Sequence, residues 1–424
     1  MSRPPTRPVA SASEPAVACA GRLASLDLLR GVAILGILPM NVLAFGLPVA
    51  AYQNPLALGP ISDGEWWAWR ATHLLFDQRF MSIFAAMFGA GILLLDGRPP
   101  REGDSATGRF YRRMGWLLVI GLLHAHLLWY GDILVAYALC GMLAYPLRRL
   151  GSAWLVAIAV PLLVVPPSIW FGLHLATTVA PPEVLAGMRE TWAPSEETIR
   201  ATEAAYRGGW LDQMPERTAA AAFMQTGVFL MWSLWRVTGL MLVGMVLLRS
   251  GFLAGRWRAA AYLVGAVIGM IGGVAIGGWG LHRNEAIDYA MIDAMTLGAL
   301  PNYAGSLAGA FGWASAVLLV AKIAGSLPLL GILESIGRTS LSNYLLQTVL
   351  CTTIFYGHGL GWYGHVDRVH LWLVVLGVWI VQMLVTGLWL RAFAIGPAEW
   401  AWRSLAAWRA LPLRRPPQST STLG

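Results

Sequence analysis

The sequence predicts an all-α fold, a polytopic transmembrane helical bundle of about ten spans with both termini cytoplasmic. Three observations carry that expectation. Of 424 residues, 57 % are hydrophobic and only 12 % are charged, against about 25 % charged in a soluble domain. Apolar runs of roughly 20 residues, long enough to cross a bilayer, recur along the whole chain. The 30 Lys and Arg, which outnumber 22 Asp and Glu, collect in alternate connecting segments. With the N-terminus inside, most of them face the cytoplasm, as short loops in membrane proteins do. Charges sorted by membrane side form no basic domain, so the positive balance does not indicate a nucleic-acid partner. The lipid bilayer is the partner the composition demands, and oligomeric state is not legible.

Residues 1–20 are rich in Pro, Ala and Ser and are expected to be a disordered tail. They lack the apolar core and cleavage site of a signal peptide. The multi-span membrane domain is placed at 21–395. Span one covers about 28–48, with Arg22, Asp27 and Arg30 at its mouth. Inside it, Pro39 removes a helix hydrogen bond, and Asn41 needs a partner in lipid. Asp27 and Arg30 are three apart and spaced to pair. A loop with Asp63, Glu65, Trp66, Trp67 and Trp69 leads to span two, about 71–95. A basic loop holds Arg98, Arg101, Arg109, Arg112 and Arg113. Spans three (about 114–130), four (132–147) and five (153–173) follow.

Residues 174–224 form the long polar segment and face outward. Ser195 with Glu196 and Glu197 opens a helix to about Tyr206, by the usual cap and acidic first turn. A second short amphipathic helix is expected between Trp210 and Phe223. Span six is about 226–248, seven 259–281, eight 303–326, nine 339–356 and ten 371–393. Residues 396–424 hold Trp400, Trp402 and Trp408 beside Arg403 and Arg409, a mixture suited to an interfacial helix and tail. Many of the 21 Trp flank apolar runs, as an aromatic belt does.

Ionisable groups inside spans are energetically costly and so mark candidate sites. His124 and His126 sit near the end of span three and Asp132 opens span four. His124 lies roughly 9 Å below Tyr130 along the helix, and His126 points to a nearly opposite side. A carboxylate close to an imidazole holds its tautomer and raises its basicity. The competing reading makes Asp132 a helix cap and the histidines interfacial polar groups. His73 and Asp77 share a helical face, and the Asp77-Gln78-Arg79 run either lines a cavity or forms an interfacial turn. Phe80, Phe84 and Phe88 read as packing.

Arg236, at mid-span, is too deep to snorkel and needs protein, water, an acid or an anionic ligand. Ser340, Asn343, Tyr344 and Gln347 line one stripe of span nine, as a site or as interhelical glue. The substrate-binding candidates are Arg236, Arg79, Asn41, Asn343 and Gln347. The loop carrying His358, His365, Asp367 and His370 is glycine-rich, and no metal site is assigned there. Cys19, Cys140 and Cys351 are too dispersed for a metal site or disulfide framework. No P-loop, dinucleotide fingerprint or zinc motif occurs, and no permanently bound cofactor is expected.

Three stretches together carry a resemblance. They are Arg22-Leu-Ala-Ser-Leu-Asp-Leu-Leu-Arg-Gly31 with the following Asn41, Gly121-Leu-Leu-His124 with Gly131-Asp-Ile-Leu134, and Gly337-Arg-Thr-Ser-Leu-Ser-Asn-Tyr-Leu-Leu-Gln347. The segments Asp77–Gly89 and Gly208–Arg217 add to it. The chain resembles the YeiB family of bacterial inner-membrane proteins over about residues 22–410, which implies a multi-pass inner-membrane location and a C-terminal family domain at about 225–410. Its Leu-Asp-x-x-Arg-Gly opening is similar to that of membrane acyltransferases of the heparan glucosaminide acetyltransferase and glucan succinyltransferase types. Those enzymes pass an acyl group from cytosolic acyl-CoA to an acceptor across the membrane, with a membrane histidine as catalyst. The resemblance implies acyl-CoA as co-substrate and an envelope lipid or glycan as acceptor. It implies His124 or His73 as the catalytic histidine, with Asp132 beside His124. Arg236, or the inner-face group of Arg30, Arg112 and Arg338, would hold the CoA phosphates. A proton-coupled small-molecule transporter and a non-enzymatic envelope assembly partner are the alternatives.

Overall fold

A computed structural model describes residues 23–97, 105–325 and 327–414. The expected tail at 1–20, with Cys19, Arg22, Arg98 and Arg101, lies outside the described residues. The described chain is helical and contains no β-strand; Phe393 and Arg414 form an isolated bridge. The helices in order are α1 (Ala24–Gly46), α2 (Ala50–Gln53), α3 (Asp63–Leu75), α4 (Arg79–Asp96), α5 (Ala106–Leu127) and α6 (Leu134–Ala144). They continue with α7 (Ser152–Thr177), α8 (Pro182–Trp192), α9 (Glu196–Arg207), α10 (Met214–Phe223), α11 (Leu234–Arg249) and α12 (Ala259–Glu285). The last are α13 (Met291–Met295), α14 (Leu300–Ile323), α15 (Pro328–Arg338), α16 (Ser340–Phe355), α17 (Leu371–Ala392) and α18 (Pro397–Ala407).

Seven helical stretches among the described residues are long and apolar enough to cross a bilayer: 24–46, 63–96, 152–177, 214–249, 259–285, 297–323 and 371–392. The expected spans at about 114–130, 132–147 and 339–356 are helical too, as α5, α6 and α16, but are not in that set. α5 begins with Arg109, Arg112 and Arg113. α6 has 11 residues, about 16 Å, roughly half the hydrocarbon thickness. α16 has 16 residues and carries the polar stripe. These three are lined by other helices, so polar groups on them meet protein.

Local chemistry explains the helix limits. Ser62 and Glu65 form a capping box at the start of α3, satisfying two otherwise orphaned N–H groups. Ser195 accepts from the Thr198 N–H to start α9, with Glu196 and Glu197 in its first turn. Between α3 and α4 the chain breaks at Gln78, which is left-handed with φ 59°. That break sets Asp77 and Arg79 inside the bundle. A π-helical segment, 224–233, precedes α11; such segments widen the helix and re-aim the side chains that follow.

α1 is the central element and is buried along most of its length. Gly31 faces the α15 backbone, and Gly337 at the end of α15 faces Asp27 in return. A side chain at either position would collide with main chain, so the glycines let α1 and α15 touch. α12 and α14 pack as a pair through Gly269 and Gly273 against Gly309 and Gly312. The far side of α12 exposes Ile268 and Ile271, consistent with a lipid-facing surface.

Candidate functional site

α5 and α6 form a hairpin whose turn, 128–133, holds Trp129, Tyr130 and Asp132 buried and the rest half-buried. His124 lies in the last turn of α5, with its Nδ1 2.8 Å from Asp132 Oδ1. The other carboxylate oxygen of Asp132 accepts the Val135 N–H at 2.8 Å. Asp132 therefore caps α6 and engages His124 at once. Both side chains are almost wholly shielded, at 1 % and 2 % exposure. A carboxylate only accepts, so Nδ1 carries the proton that is donated to it. In the neutral ring Nε2 is then an acceptor, and the Thr348 hydroxyl, 2.9 Å away, is placed to donate to it. A hydroxyl, an imidazole and a carboxylate thus stand in line, the arrangement in which a histidine relays a proton from a hydroxyl.

A cavity of about 400 Å³ runs toward this line from the arginine-rich face. That size suits a small-molecule site. Along α4 it extends from Leu95 to Phe84, about 16 Å by helical rise. Arg30, Arg113, Arg338 and Arg403 line its mouth together with Asp27 and Glu399. Ile34, Phe88 and Leu117 supply apolar walls, and Ile133, Tyr137 and Tyr344 close the inner end. The Tyr344 ring lies 5.1 Å from the His124 ring, centroid to centroid.

The mouth is built from both ends of the chain. Arg30 pairs with Asp27 at 3.1 Å, as their spacing predicts. Arg113 lies over the Trp402 ring of α18 at 4.5 Å. Glu399 of α18 accepts the N–H groups of Leu341 and Ser342 at 2.6 and 3.2 Å, capping α16 from outside its own chain segment. Arg112, expected in this group, instead donates to the Ala406 carbonyl at 3.1 Å and does not line the cavity.

The opposite end of the hairpin is closed. Trp129 stacks on Phe45 at 3.9 Å. Trp210 and Arg217, from the polar segment at 174–224, both donate to the Leu127 carbonyl, at 2.8 and 2.6 Å. Tyr206 stacks on Tyr363 at 4.7 Å beside Tyr356. Burial pushes the Tyr206 phenol up, so it stays protonated. Burial and the Arg217 guanidinium push His358 down, keeping that imidazole neutral.

The other candidates fall elsewhere. His73 stacks on Trp69 at 3.9 Å, and its ring nitrogens face the carbonyls of Trp69 and Tyr52 at 2.9 and 2.8 Å. It does not line the cavity. His126 meets Gln225 at 3.4 Å on another side of α5. Arg79 donates to the carbonyls of His73 and Asp77 at 3.0 and 2.9 Å, while Asn302 donates to the Asp77 carboxylate at 2.5 Å. Arg236 is fully buried; its Nη2 donates to Ser82 and Ser306 at 2.9 and 2.8 Å. Its Nε and Nη1 have no hydrogen-bond partner among the described residues.

Asn343 donates to Thr339 and Thr386, and Gln347 to the Ile34 carbonyl and Gln382, so they tie α16 to α1 and α17. Asn41 is half-buried on α1. No three His, Cys, Asp or Glu side chains among the described residues group to hold a metal.

Sequence reading did not single out Thr348, Arg113, Arg403 or Glu399 as site residues. Thr348 had a signal, since it continues the polar stripe four residues after Tyr344. Arg403 and Glu399 had none, because a helix expected to lie in the interface also borders the cavity.

Comparison with known proteins places these residues in a family setting. Residues 247–409 match the family model described as a protein of unknown function, DUF418. The chain is 32 % identical over 395 residues to the uncharacterized protein YeiB of Escherichia coli K12, covering 92 % of this chain and 98 % of that protein. It is 27 % identical over 405 residues to the uncharacterized protein YxaH of Bacillus subtilis 168, covering 90 % and 94 %. An uncharacterized 39.9 kDa protein from the amylase 3′ region of Bacillus acidopullulyticus is 26 % identical over 399 residues, covering 92 % and 96 %.

Proposed function

The chain belongs to the YeiB family, and from the site its residues build we propose that it is a membrane acyltransferase moving an acyl group from acyl-CoA to an envelope lipid or glycan. One arrangement carries this reading: the His124–Asp132 pair lies behind the inner end of a cavity whose mouth holds four arginines. Acyl-CoA joins a polyanionic nucleotide to a slender arm ending in a thioester. Guanidinium groups bind phosphates through charge-assisted, often bidentate hydrogen bonds. Arg30, Arg113, Arg338 and Arg403 would hold the phosphates, and the apolar walls would take the arm. In a bacterial inner-membrane protein with both termini inside, the positive-inside bias would turn this mouth to the cytoplasm, where acyl-CoA is found. The Leu-Asp-x-x-Arg-Gly resemblance to acyltransferases supports the same reading.

His124 then acts as a base. Its Nε2 takes the proton from an acceptor hydroxyl or amine as the oxygen or nitrogen attacks the thioester carbonyl. The C–S bond breaks, and the imidazolium returns the proton to the departing thiolate. Asp132 orients the ring and stabilises its charged form. The Thr348 hydroxyl marks the place on Nε2 that the acceptor would take. The test is transfer of labelled acyl groups from acyl-CoA to extracted envelope lipids and glycans by the protein in vesicles. His124→Ala is expected to abolish transfer. Undiminished transfer in that variant removes His124 from the chemistry and with it this reading.

One observation favours a second reading, a proton-coupled transporter. Asp77, Arg79 and Arg236 are all buried in or beside the spans, and such groups line ion and proton paths in membrane proteins. Uptake of a small molecule driven by a pH gradient, with no acyl-CoA consumed, would establish it instead.

A further inference from the structure

Tyr344 stands where the two halves of the site meet. It lines the inner end of the cavity, and its ring packs against His124. It is only 2 % exposed. Its hydroxyl accepts the Ile133 N–H at 3.3 Å and donates to the Gly131 carbonyl at 3.4 Å. Those two residues flank Asp132, the partner of His124. Thr348, one helical turn further along α16, does not line the cavity yet holds His124 Nε2. A group in the cavity therefore meets the Tyr344 ring before it meets Nε2.

We infer that Tyr344 is a positioning residue, a partition whose ring must turn aside before the contents of the cavity can reach His124. Both hydrogen bonds that hold its hydroxyl, at 3.3 and 3.4 Å, are longer than the usual range, so the hydroxyl is fastened lightly and apolar packing holds the ring. The fastening is to the backbone on either side of Asp132, which couples the partition to the turn that orients the imidazole. A closed partition keeps water in an unfilled cavity away from the histidine. An open one completes the site only when the cavity is occupied, the logic by which closing elements protect a reactive group. The chemistry of this inference rests on the acyl-transfer reading; the partition itself rests on geometry alone.

The experiment uses the full chain in inverted membrane vesicles, with Cys19, Cys140 and Cys351 replaced by Ala and Thr348→Cys added. A membrane-impermeant methanethiosulfonate reagent is applied from the arginine-rich side. With Tyr344 present, labelling is expected to be slow. With Tyr344→Ala it is expected to be about tenfold faster or more, because labelling follows the population of the open state. Tyr344→Phe, which loses only the two hydroxyl bonds, falls between them. Tyr344→Leu, which removes the ring and the hydroxyl but leaves an apolar side chain in the core, is expected to label faster than Tyr344 and supplies the comparison if the alanine variant does not fold. Equal labelling rates with Tyr344, Phe and Leu overturn the partition. In turnover, Tyr344→Phe is expected to raise acyl-CoA hydrolysis relative to transfer while the KM for acyl-CoA stays the same. A purely structural role would not split these quantities, and an unchanged ratio counts against the positioning role. If labelling behaves as expected but no variant turns over acyl-CoA, the partition stands and the acyl-transfer reading falls.

Discussion

Gly337 packs so closely on Asp27 that a Cβ on the glycine would lie 1.7 Å from the Asp27 carbonyl oxygen. This contact joins the start of the first span to the turn before α16, and both segments border the cavity mouth. Gly337→Ala is expected to push α15 off α1 and destabilise the protein by about 1–3 kcal/mol, the usual cost of overpacking. Thermal unfolding in detergent measures it. Gly331→Ala, on the same helix with open space at its Cβ, should leave the melting temperature unchanged or slightly raised. Equal melting temperatures for the two variants would show that the close approach does not matter.

Asp132 has two tasks, and one substitution separates them. Asn caps a helix about as well as Asp, so Asp132→Asn is expected to keep the Val135 bond and most of the stability. It replaces an acceptor-only group with an amide, which no longer dictates the His124 tautomer or stabilises an imidazolium. The kcat for acyl transfer should fall by about 10²–10⁴, the range for a positioned acid–base group. Asp132→Ala should lose the cap as well and unfold at lower temperature. If Asp132→Asn transfers acyl groups at the wild-type rate, the carboxylate serves α6 alone.

The bundle was legible because its signals are local and large. Apolar length, loop charge and flanking Trp predict helices at every expected span, and Ser195 begins α9 where its acidic first turn places it. Spans three, four and nine were harder, since Arg109 to Arg113 shorten the apolar part of α5 and α6 is only 11 residues long. The His124–Asp132 contact was within reach because only a turn separates the two residues. The cavity was legible only in part: Arg30 and Arg338 were already grouped at the inner face, but Arg113 and Arg403 reach its mouth from distant parts of the chain. Period and spacing describe one helix at a time, whereas a cavity depends on which faces meet. His73 shows the same limit. Spacing puts Asp77 on its helical face, yet α3 ends at Leu75 and the turn before α4 leaves the ring on backbone carbonyls.

The arginine mouth makes a prediction about salt. Arg338→Gln and Arg403→Gln are each expected to raise the KM for acyl-CoA roughly tenfold, since a charge-assisted hydrogen bond contributes about 1.5 kcal/mol. The kcat should hold, because neither residue lies near His124. Raising ionic strength should weaken donor binding in the parent protein more than in the double variant, as screening acts on partly exposed charges. Isothermal titration with acyl-CoA at two salt concentrations reads both effects. Affinity that is indifferent to salt and to these substitutions would move the donor site elsewhere.

Arg236 gives the sharpest contrast between stability and function. Its guanidinium is fully buried, and among the described residues its Nε and Nη1 meet no well-formed hydrogen-bond acceptor, with the Tyr303 side chain as their polar neighbour. The two serines it does bond have other uses for their hydrogens: Ser82 donates to the Gln78 carbonyl at 2.6 Å and Ser306 to the Tyr303 carbonyl at 2.8 Å. Both serine hydroxyls keep a partner without Arg236. Asp77 would still have Arg79 nearby as a counter-charge. Removing the guanidinium therefore orphans little and ends the desolvation penalty of a buried cation, the case in which an apolar substitute of similar volume is neutral or stabilising. Arg236→Met is expected to raise stability by about 1 kcal/mol or more, seen as a higher melting temperature in detergent, while acyl transfer or transport falls. A gain in stability with a loss of activity would mark the arginine as kept for function, the trade-off common at functional sites. If Arg236→Met instead lowers the melting temperature and leaves the activity of the remaining folded protein intact, the arginine is a packing element held by its contacts with Tyr303 and Trp232, whose ring centroids lie 4.3 and 5.6 Å away.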